Sequence, residues 1–339
     1  SPDTGLAMVV PADQNEVVMN GLSLGKEFTF TVAASNQIGK GLASDPTEPL
    51  VLLDVPSAPP VVSATPGDKT ATIKWEPPLF NGGTDVTKYS ITTLPGNNVI
   101  ETTGELREAT ISGLSNGTEY SFGIVAYNKL GNGPDRVSDS VTPIGLPGKP
   151  ENVTAASGNG NATISWQTPA IDGGSAITGY TVTSSPDNVV VVTDGRQSSA
   201  TLTGLTNGIA YTFAIYAINA AGNGALSDSS GVITPTGPPS APIKVVAVAG
   251  DGEVLVSWGV PLSDGGLPVT EYSIKASPGR DTLVIPSSKS EGNVTGLTNG
   301  KTYSFTVTAV NGRGTSEPSR SSSSVIPVGV PTAAEGVIT

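Results

Sequence analysis

The sequence Thr110-Ile-Ser-Gly-Leu-Ser-Asn-Gly-Thr-Glu-Tyr-Ser-Phe-Gly-Ile-Val-Ala-Tyr-Asn128 decides the fold of this chain. Nearly the same letters return at 201–219 and at 293–311, and a related version occupies 20–36. The Asn-Gly pair inside it is a tight-turn signal, and the alternation that follows predicts a strand with one buried face. The side chains expected on that face are Tyr120, Phe122, Ile124 and Ala126.

The four copies recur at a fixed period. Their Gly-Leu pairs begin at Gly21, Gly113, Gly204 and Gly296, so the spacing is 91 or 92 residues. This is the size of a small independent domain and is too long for one solenoid turn. We therefore expect a tandem array: a partial domain at 1–55 (the partial repeat), complete domains at 56–147, 148–238 and 239–330 (repeats 1, 2 and 3), and the start of a further domain at 331–339.

The composition favours strands and turns over helices. There are 42 Gly and 28 Pro among the 339 residues, which is typical of a turn-rich, all-β protein. Repeat 1 contains short alternating segments near 70–75, 86–91, 99–103, 109–111, 120–126 and 136–141, after a proline-rich edge segment. Seven short strands in about 90 residues, with no helical period, predict an antiparallel β-sandwich.

Charge and residue types exclude several functions. The net charge of −12, with no basic stripe, is unfavourable for binding nucleic acid or an anionic membrane. No apolar run is long enough to span a bilayer, so we expect no membrane insertion. The chain has no Cys and no His, which removes disulfides, thiolate zinc sites and His-based catalysis. We predict no enzyme activity, no catalytic, cofactor-binding or metal-binding residues, and no cofactor.

Several positions recur in phase and carry a family resemblance. Each complete unit has a tryptophan on its second strand, a tyrosine on its third, and Gly-Leu-x-x-Gly before Tyr-x-Phe. This pattern resembles tandem fibronectin type III domains, and the Asp-Gly-Gly loops at 172–174 and 264–266 resemble the prokaryotic and phage branch. The resemblance implies seven-stranded, immunoglobulin-like sandwiches in a row. The aromatic residues that it places in the core are Trp75, Trp166, Trp258, Tyr89, Tyr180 and Tyr272.

The resemblance also implies a tyrosine corner in each complete unit. There, a Tyr six residues after the turn Leu places its hydroxyl on a nearby backbone group and links the two sheets. In the partial repeat Phe28 follows Leu22, so the packing is kept and the hydroxyl is lost. We expect that corner to be weaker by about 1 kcal/mol. The corner pairs are Leu114 with Tyr120, Leu205 with Tyr211, and Leu297 with Tyr303.

Other candidate sites are interpreted as structural. The Asn81-Gly-Gly, Asp172-Gly-Gly and Asp264-Gly-Gly loops lack the ligand spacing of calcium loops and the Lys of phosphate loops, which favours turns. Arg313-Gly-Thr lacks the Asp of an adhesion tripeptide. The carboxylates Glu101, Glu105 and Glu108 are interpreted as a solvated face on one weak strand. The outward-pointing Tyr127 and Tyr216 are the candidate surface contacts.

Three functional hypotheses follow. The first is a non-catalytic structural or adhesive spacer array of an extracellular or cell-surface protein or filament, which presents surface to a protein or glycan partner. The alternatives are a phage virion appendage (tail, fibre or decoration module) and the spacer of a secreted polysaccharide-degrading enzyme. Short proline-rich linkers favour a semi-stiff array.

The incomplete first unit leaves two interpretations of its missing strands. Ser1-Pro2 aligns with Leu94-Pro95, so the partial repeat lacks its Trp and Tyr strands. We favour an excerpt from a longer array. The alternative is that a neighbouring chain supplies the missing strands, so that chains self-assemble through the incomplete first domain.

Overall fold

A computed structural model describes residues 5–279 and 282–330, and the start of a further domain that is predicted at 331–339 lies outside them. Every regular element among these residues is a β-strand, and all the strand pairs are antiparallel. This confirms the predicted all-β fold class. The chain divides into two compact units, of which the first contains the described residues up to Gly145 with Gly173–Ser175, and the second contains the rest.

The partial repeat contributes two short strands. β1 and β2 pair so that Phe28 lies opposite Leu50. Phe28 is buried, whereas Val9, Ile38 and Leu42 are almost fully exposed. The strands of this segment are β1 (Glu27–Phe28) and β2 (Leu50–Val51).

Repeat 1 forms two facing sheets. A three-stranded sheet has the order β3-β4-β7 and a four-stranded sheet has the order β6-β5-β8-β9. The alternation predicted at 120–126 is present, because Phe122, Ile124 and Ala126 are completely buried in the core between the sheets. The strands are β3 (Val62–Gly67), β4 (Thr70–Trp75), β5 (Lys88–Leu94), β6 (Asn98–Thr103), β7 (Glu108–Ser112), β8 (Ser121–Asn128) and β9 (Gly131–Val137).

Repeats 2 and 3 follow the same topology with separate cores. Repeat 2 contains β10 (Glu151–Ser157), β11 (Asn161–Gln167), β12 (Gly179–Ser185), β13 (Val190–Asp194), β14 (Ser199–Thr203), β15 (Thr212–Asn219) and β16 (Gly222–Asn223). Repeat 3 contains β17 (Ile243–Ala249), β18 (Glu253–Gly259), β19 (Glu271–Ser277), β20 (Thr282–Pro286), β21 (Glu291–Thr295), β22 (Ser304–Asn311) and β23 (Gly314–Thr315). Each core lies between a three-stranded and a four-stranded sheet.

The last strand of each repeat differs from the expectation. A strand was predicted at 136–141 and at the equivalent positions, but β9 ends at Val137, and β16 and β23 are only two residues long. In repeat 3 the segment after β23 instead carries a serine at every third position: Ser316, Ser319 and Ser322. Each serine donates its backbone N–H to a carbonyl of β22 and accepts a β22 N–H on its Oγ. We name this arrangement the serine ladder.

The serine ladder has a physical reason. A three-residue spacing is the period of an extended polyproline II chain, which has no internal hydrogen bonds. Because such a chain directs backbone carbonyls to the sheet only at intervals, a side-chain hydroxyl oxygen must accept the alternate N–H groups of the neighbouring strand. Repeat 2 uses Ser227 and Ser230 in this way, and repeat 1 uses Ser138.

Candidate interaction surfaces and site residues

The recurring aromatic residues lie inside the sandwiches. In each repeat the tryptophan of the second strand packs at a tilted angle against the tyrosine of the third, with ring centroids 5.2–5.3 Å apart. This is a favourable aromatic geometry. All six rings are buried, so they serve packing and offer no exposed face to a ligand. The pairs are Trp75 with Tyr89, Trp166 with Tyr180, and Trp258 with Tyr272.

Burial also sets the ionisation of these tyrosines. Removal from water raises the pKa of Tyr89, Tyr180 and Tyr272 above the ordinary value, because it penalises the charged phenolate. Arg107, whose guanidinium lies 5.4 Å from the centre of the Tyr89 ring, opposes this rise in repeat 1. These phenols therefore stay neutral at physiological pH and act as packing groups.

Each of the three corner tyrosines makes an equivalent hydrogen bond in its own repeat. The hydroxyl oxygen of each tyrosine accepts the backbone N–H of the residue that follows the turn leucine, at 3.1–3.2 Å. The backbone of each tyrosine also pairs with the last segment of its repeat. Leu114 and Leu205 are buried, and Leu297 packs against its core at the same turn. The donor–acceptor pairs are Ser115 with Tyr120, Thr206 with Tyr211, and Thr298 with Tyr303.

Phe28 occupies the corner position of the partial repeat. Its ring is buried, and its backbone pairs with Leu50 as the corner tyrosines pair with their last segments. The ring has no hydroxyl to accept a turn N–H. The weaker corner that we expect here stays a prediction.

Replacing Tyr211 by phenylalanine should measure the worth of the corner. The Tyr211 hydroxyl accepts the Thr206 N–H and donates to a carboxylate oxygen of Asp187. Because the ring is kept, only these hydrogen bonds are lost, and we expect repeat 2 to lose about 1–2 kcal/mol of unfolding free energy. The measurement is chemical denaturation of the whole chain, followed by the fluorescence of Trp166.

Tyr120→Phe, followed by Trp75 fluorescence, is the matched control for Tyr211→Phe. Tyr120 accepts the equivalent backbone bond from Ser115. Its loss should therefore be about 1 kcal/mol. Equal stability of Tyr211→Phe and the unmodified chain would contradict a stabilising corner.

The three carboxylates interpreted as one solvated face are not on one strand. Glu101 lies on β6 and Glu108 on β7, whereas Glu105 lies in the turn between them. Glu101 accepts from Lys88 at 2.6 Å, and Glu108 lies 2.9 Å from Lys74. The prediction of a shared strand was therefore wrong, because the chain crosses from the four-stranded sheet to the three-stranded sheet between Glu101 and Glu108. The two paired carboxylates form exposed ion pairs of the kind that contribute little to stability.

The two candidate surface tyrosines are half-buried. The Lys88 Nζ lies 4.8 Å from the centre of the Tyr127 ring, a cation–π geometry that covers part of that face. The hydrogen bond to Glu101 raises the pKa of Lys88, so the cation persists. Tyr216 occupies the equivalent place on β15 and is also half-buried. Part of each residue is accessible to solvent, and a contact through it stays a prediction.

The glycine loops contain local hydrogen bonds of turns. The Asn81 side chain accepts the N–H of Gly83 at 2.9 Å, and the Asp264 side chain accepts the N–H of Gly266 at 2.8 Å. This is the Asx-turn pattern. Arg313, in the loop that lacks an adhesion tripeptide, donates from Nε to Thr236 Oγ1 at 2.8 Å.

Sequence reasoning missed the asparagine that ends each copy of the quoted stretch. Asn128, Asn219 and Asn311 are buried. The side-chain amide of each donates to the backbone carbonyl of the first residue of its glycine loop, which is Asn81, Asp172 or Asp264. The signal was present, because the asparagine recurs in phase in every copy. Its partners are 47 residues away along the chain, so spacing alone did not reveal them.

Among residues 5–279 and 282–330, no group of three or more Asp, Glu, His or Cys side chains is arranged to hold a metal ion. The same residues include no helix with the length and apolar character needed to cross a membrane. A depression in repeat 1 is lined by Pro77, Phe80, Glu105 and Arg107, among others.

Several curated proteins are similar to this chain over most of its length. Human myomesin-2 is 28% identical over 89% of this chain and 22% of its own length. Chicken M-protein of striated muscle is 30% identical over 90% of this chain and 23% of its own length. The chain thus spans about a quarter of the length of these curated relatives. The crystal structure of chicken CNTN1 FN1-FN3 domains aligns with a TM-score of 0.32 and 21% identity, over 81% of this chain and all of that one.

The fibronectin type III domain model matches residues 57–142, 148–233 and 237–325, which together exceed half of the chain. Each match contains one sheet pair, one buried Trp–Tyr pair and one tyrosine corner. The chain therefore belongs to the fibronectin type III family.

Proposed function

We propose that this segment is a non-catalytic structural spacer of an extracellular or cell-surface protein, which separates other parts of that protein and presents surface to a protein or glycan partner. One observation carries the proposal. The residues that recur from repeat to repeat are engaged in building the sandwiches: aromatic pairs in the cores, hydroxyls in the corners and amides at the loops. The residues that the repeats have in common therefore serve the fold.

Two further observations support a spacer. Myomesin-2 and M-protein align with about nine-tenths of the chain, so the similarity extends over most of the tandem array. Each complete repeat also has its own buried cluster, so each can bear load as a separate cooperative unit. The extracellular setting rests on the family resemblance, and the half-buried residues Tyr127 and Tyr216 are the proposed contacts for a partner.

Single-molecule pulling tests the mechanical part of the proposal. The whole 339-residue chain is stretched between its ends, and its extension is recorded against force. Because an extended residue spans about 3.3–3.6 Å, unfolding of one repeat of about 90 residues should lengthen the chain by roughly 30 nm. We expect three such events, one for each complete repeat. A featureless, low-force extension would contradict a load-bearing array.

An activity assay tests the non-catalytic part. The purified chain is incubated with soluble glycans, and reducing ends are measured over time. We expect no release above a heat-denatured sample of the chain. Release that depends on the folded chain would overturn the proposal, whatever the pulling record shows.

A further inference from the structure

The trailing end of repeat 2 holds the linker that leaves it. This end consists of the turn at 158–161 and the Asn207-Gly208 turn. The Asn207 side chain accepts the Gly160 N–H and donates to Asn159 Oδ1, both at 2.8 Å. Gly208 N donates to Pro235 O at 2.9 Å, and Thr236 N donates to Gly158 O at 3.1 Å. The linker is therefore fixed to repeat 2 as far as Thr236.

The leading end of repeat 3 holds the next linker residue. This end consists of the loop at 263–266 with Asn311 and Arg313. The buried Asn311 amide donates to Gly237 O at 2.9 Å and to Asp264 O at 2.7 Å. Gly237 N donates to Gly265 O at 2.9 Å. Thr236 and Gly237 are adjacent in the chain. The last linker residue that is hydrogen-bonded to repeat 2 is therefore followed directly by a residue that is hydrogen-bonded to repeat 3.

The two ends also meet directly through glycine backbone. Gly266 has a φ of +81°, and a Cβ placed on it would lie 2.5 Å from the backbone N of Gly208. A Cβ on Gly208 would in turn lie 3.2 Å from the Cα of Gly266. This approach leaves no room for a side chain on Gly266, since the atom in the way is backbone and cannot rotate aside.

The same arrangement occurs independently in the first compact unit. There the Asn128 amide donates to Asp54 O at 2.7 Å and to Asn81 O at 3.0 Å. A Cβ on Gly83 would lie 2.5 Å from the Cα of Gly25. The clamping asparagine, the linker carbonyl and the pair of apposed glycines thus recur between the partial repeat and repeat 1.

The trailing end of repeat 3 contains the same side-chain hydrogen bonds as that of repeat 2. In repeat 3 the Asn299 side chain accepts the Gly252 N–H and donates to Asp251 Oδ1, both at 2.8 Å, as Asn207 does in repeat 2. Gly300 N donates to Pro327 O at 2.9 Å. No atom of the described residues lies within 4 Å of a Cβ placed on Gly300. Docking on such a surface requires little ordering.

We infer that the leading and trailing ends of a repeat are a matched pair of docking surfaces, and that the partner of each is another repeat of the same kind. Docking fixes the orientation of one repeat on the next, and the Asn299-Gly300 surface receives the glycine loop of a further such repeat. This inference deepens the proposed spacer function, since a spacer with fixed joints also sets the direction in which surfaces are presented.

Paired glycine substitutions test the joint between repeats 2 and 3. The chain has no cysteine, so spin labels are attached selectively at Ser198→Cys and Ser290→Cys, two exposed positions in repeats 2 and 3. Pulsed electron paramagnetic resonance then measures the distance distribution between the labels. We expect one narrow distribution in the otherwise unmodified chain, and a displaced and broadened one in Gly266→Ala.

Gly296→Ala is the matched control. Gly296 lies in the same repeat with a φ of +76°, and a Cβ on it would meet nothing within 4 Å. The backbone strain of the substitution is therefore similar, whereas the clash at the joint is absent. The control should keep the narrow distribution. Identical distributions in Gly266→Ala and Gly296→Ala, or a broad distribution in the unmodified chain, would overturn the inference.

A second pair guards against misfolding of Gly266→Ala. Gly208→Ala adds a methyl group to the joint on the repeat 2 side. Gly300→Ala is its control at the equivalent turn of repeat 3. The φ values are +86° for Gly208 and +82° for Gly300. Only Gly208→Ala should displace the distribution, and no displacement would count against the joint. Three unfolding events in the pulling experiment together with a broad distance distribution between the spin labels would support the spacer function and contradict the fixed joint. The two proposals can therefore fail independently.

Discussion

Replacing Phe213 by alanine is expected to destabilise repeat 2 by about 3–5 kcal/mol and to leave repeats 1 and 3 folded. Phe213 is among the largest completely buried side chains of repeat 2. It stacks near Tyr211, with ring centroids 6.5 Å apart. Removing the ring loses its burial and leaves a cavity that the two closely packed sheets can fill only in part. A loss of this size approaches the whole stability of many small domains.

Hydrogen exchange followed by mass spectrometry checks this expectation in the whole chain. Peptides from β11, β12 and β15 should lose protection by about 10²–10³-fold or more, since each 1.4 kcal/mol is a factor of ten. Peptides from β5 and β22 should keep their protection, because the buried clusters of repeats 1 and 3 include no residue of repeat 2.

Val232→Ala is the control for Phe213→Ala. Val232 is in the same repeat, outside the regular strands, and its side chain is 69% exposed. Exposed substitutions of this kind usually change stability by no more than about 0.5 kcal/mol. Equal loss of protection in all three repeats after Phe213→Ala would show that the array unfolds as one cooperative body.

The sequence predicted what depends on local alternation. The period of two at 120–126 correctly predicted which side of β8 faces the core, since a strand in a two-sheet sandwich must bury every second side chain. The Trp and Tyr positions followed from the same alternation together with the family resemblance. The fixed spacing of the quoted stretch revealed the repetition before any strand was assigned.

The features that sequence reasoning missed depend on partners far away in the chain. Asn311 pairs with carbonyls 47 and 74 residues before it, and no local pattern specifies such a partner. The serine ladder was missed for a different reason. Serines at a spacing of three, among charged residues and proline, resemble an irregular loop, because neither the strand period nor the helix period applies.

The serine ladder leads to the second large expected effect. In repeat 3, Ser319 Oγ accepts the N–H of Val307 at 2.9 Å and donates to the carbonyl of Arg320, also at 2.9 Å. Its backbone N–H donates to Val307 O at 2.9 Å. Val307 is completely buried, so its N–H has no access to water when the hydroxyl is removed. The serine therefore replaces a backbone partner that a regular strand would supply.

Changing Ser319 to alanine should cost repeat 3 about 1–3 kcal/mol, the penalty of a buried donor without an acceptor. The change removes one oxygen and creates little space, so packing contributes a small part of the loss. Equilibrium unfolding in denaturant, followed by Trp258 fluorescence, measures the change at the only tryptophan of this repeat. Hydrogen exchange at the Val307 amide, read by nuclear magnetic resonance, should also accelerate.

Ser321→Ala is the matched control for Ser319→Ala, because the two serines belong to the same segment and differ in burial. Ser321 is exposed, whereas Ser319 is buried against β22. The control should remain within about 0.5 kcal/mol of the unmodified chain. Similar unfolding curves for both variants would mean that the Val307 N–H finds an acceptor without the hydroxyl. The serine ladder would then contribute nothing to the stability of repeat 3.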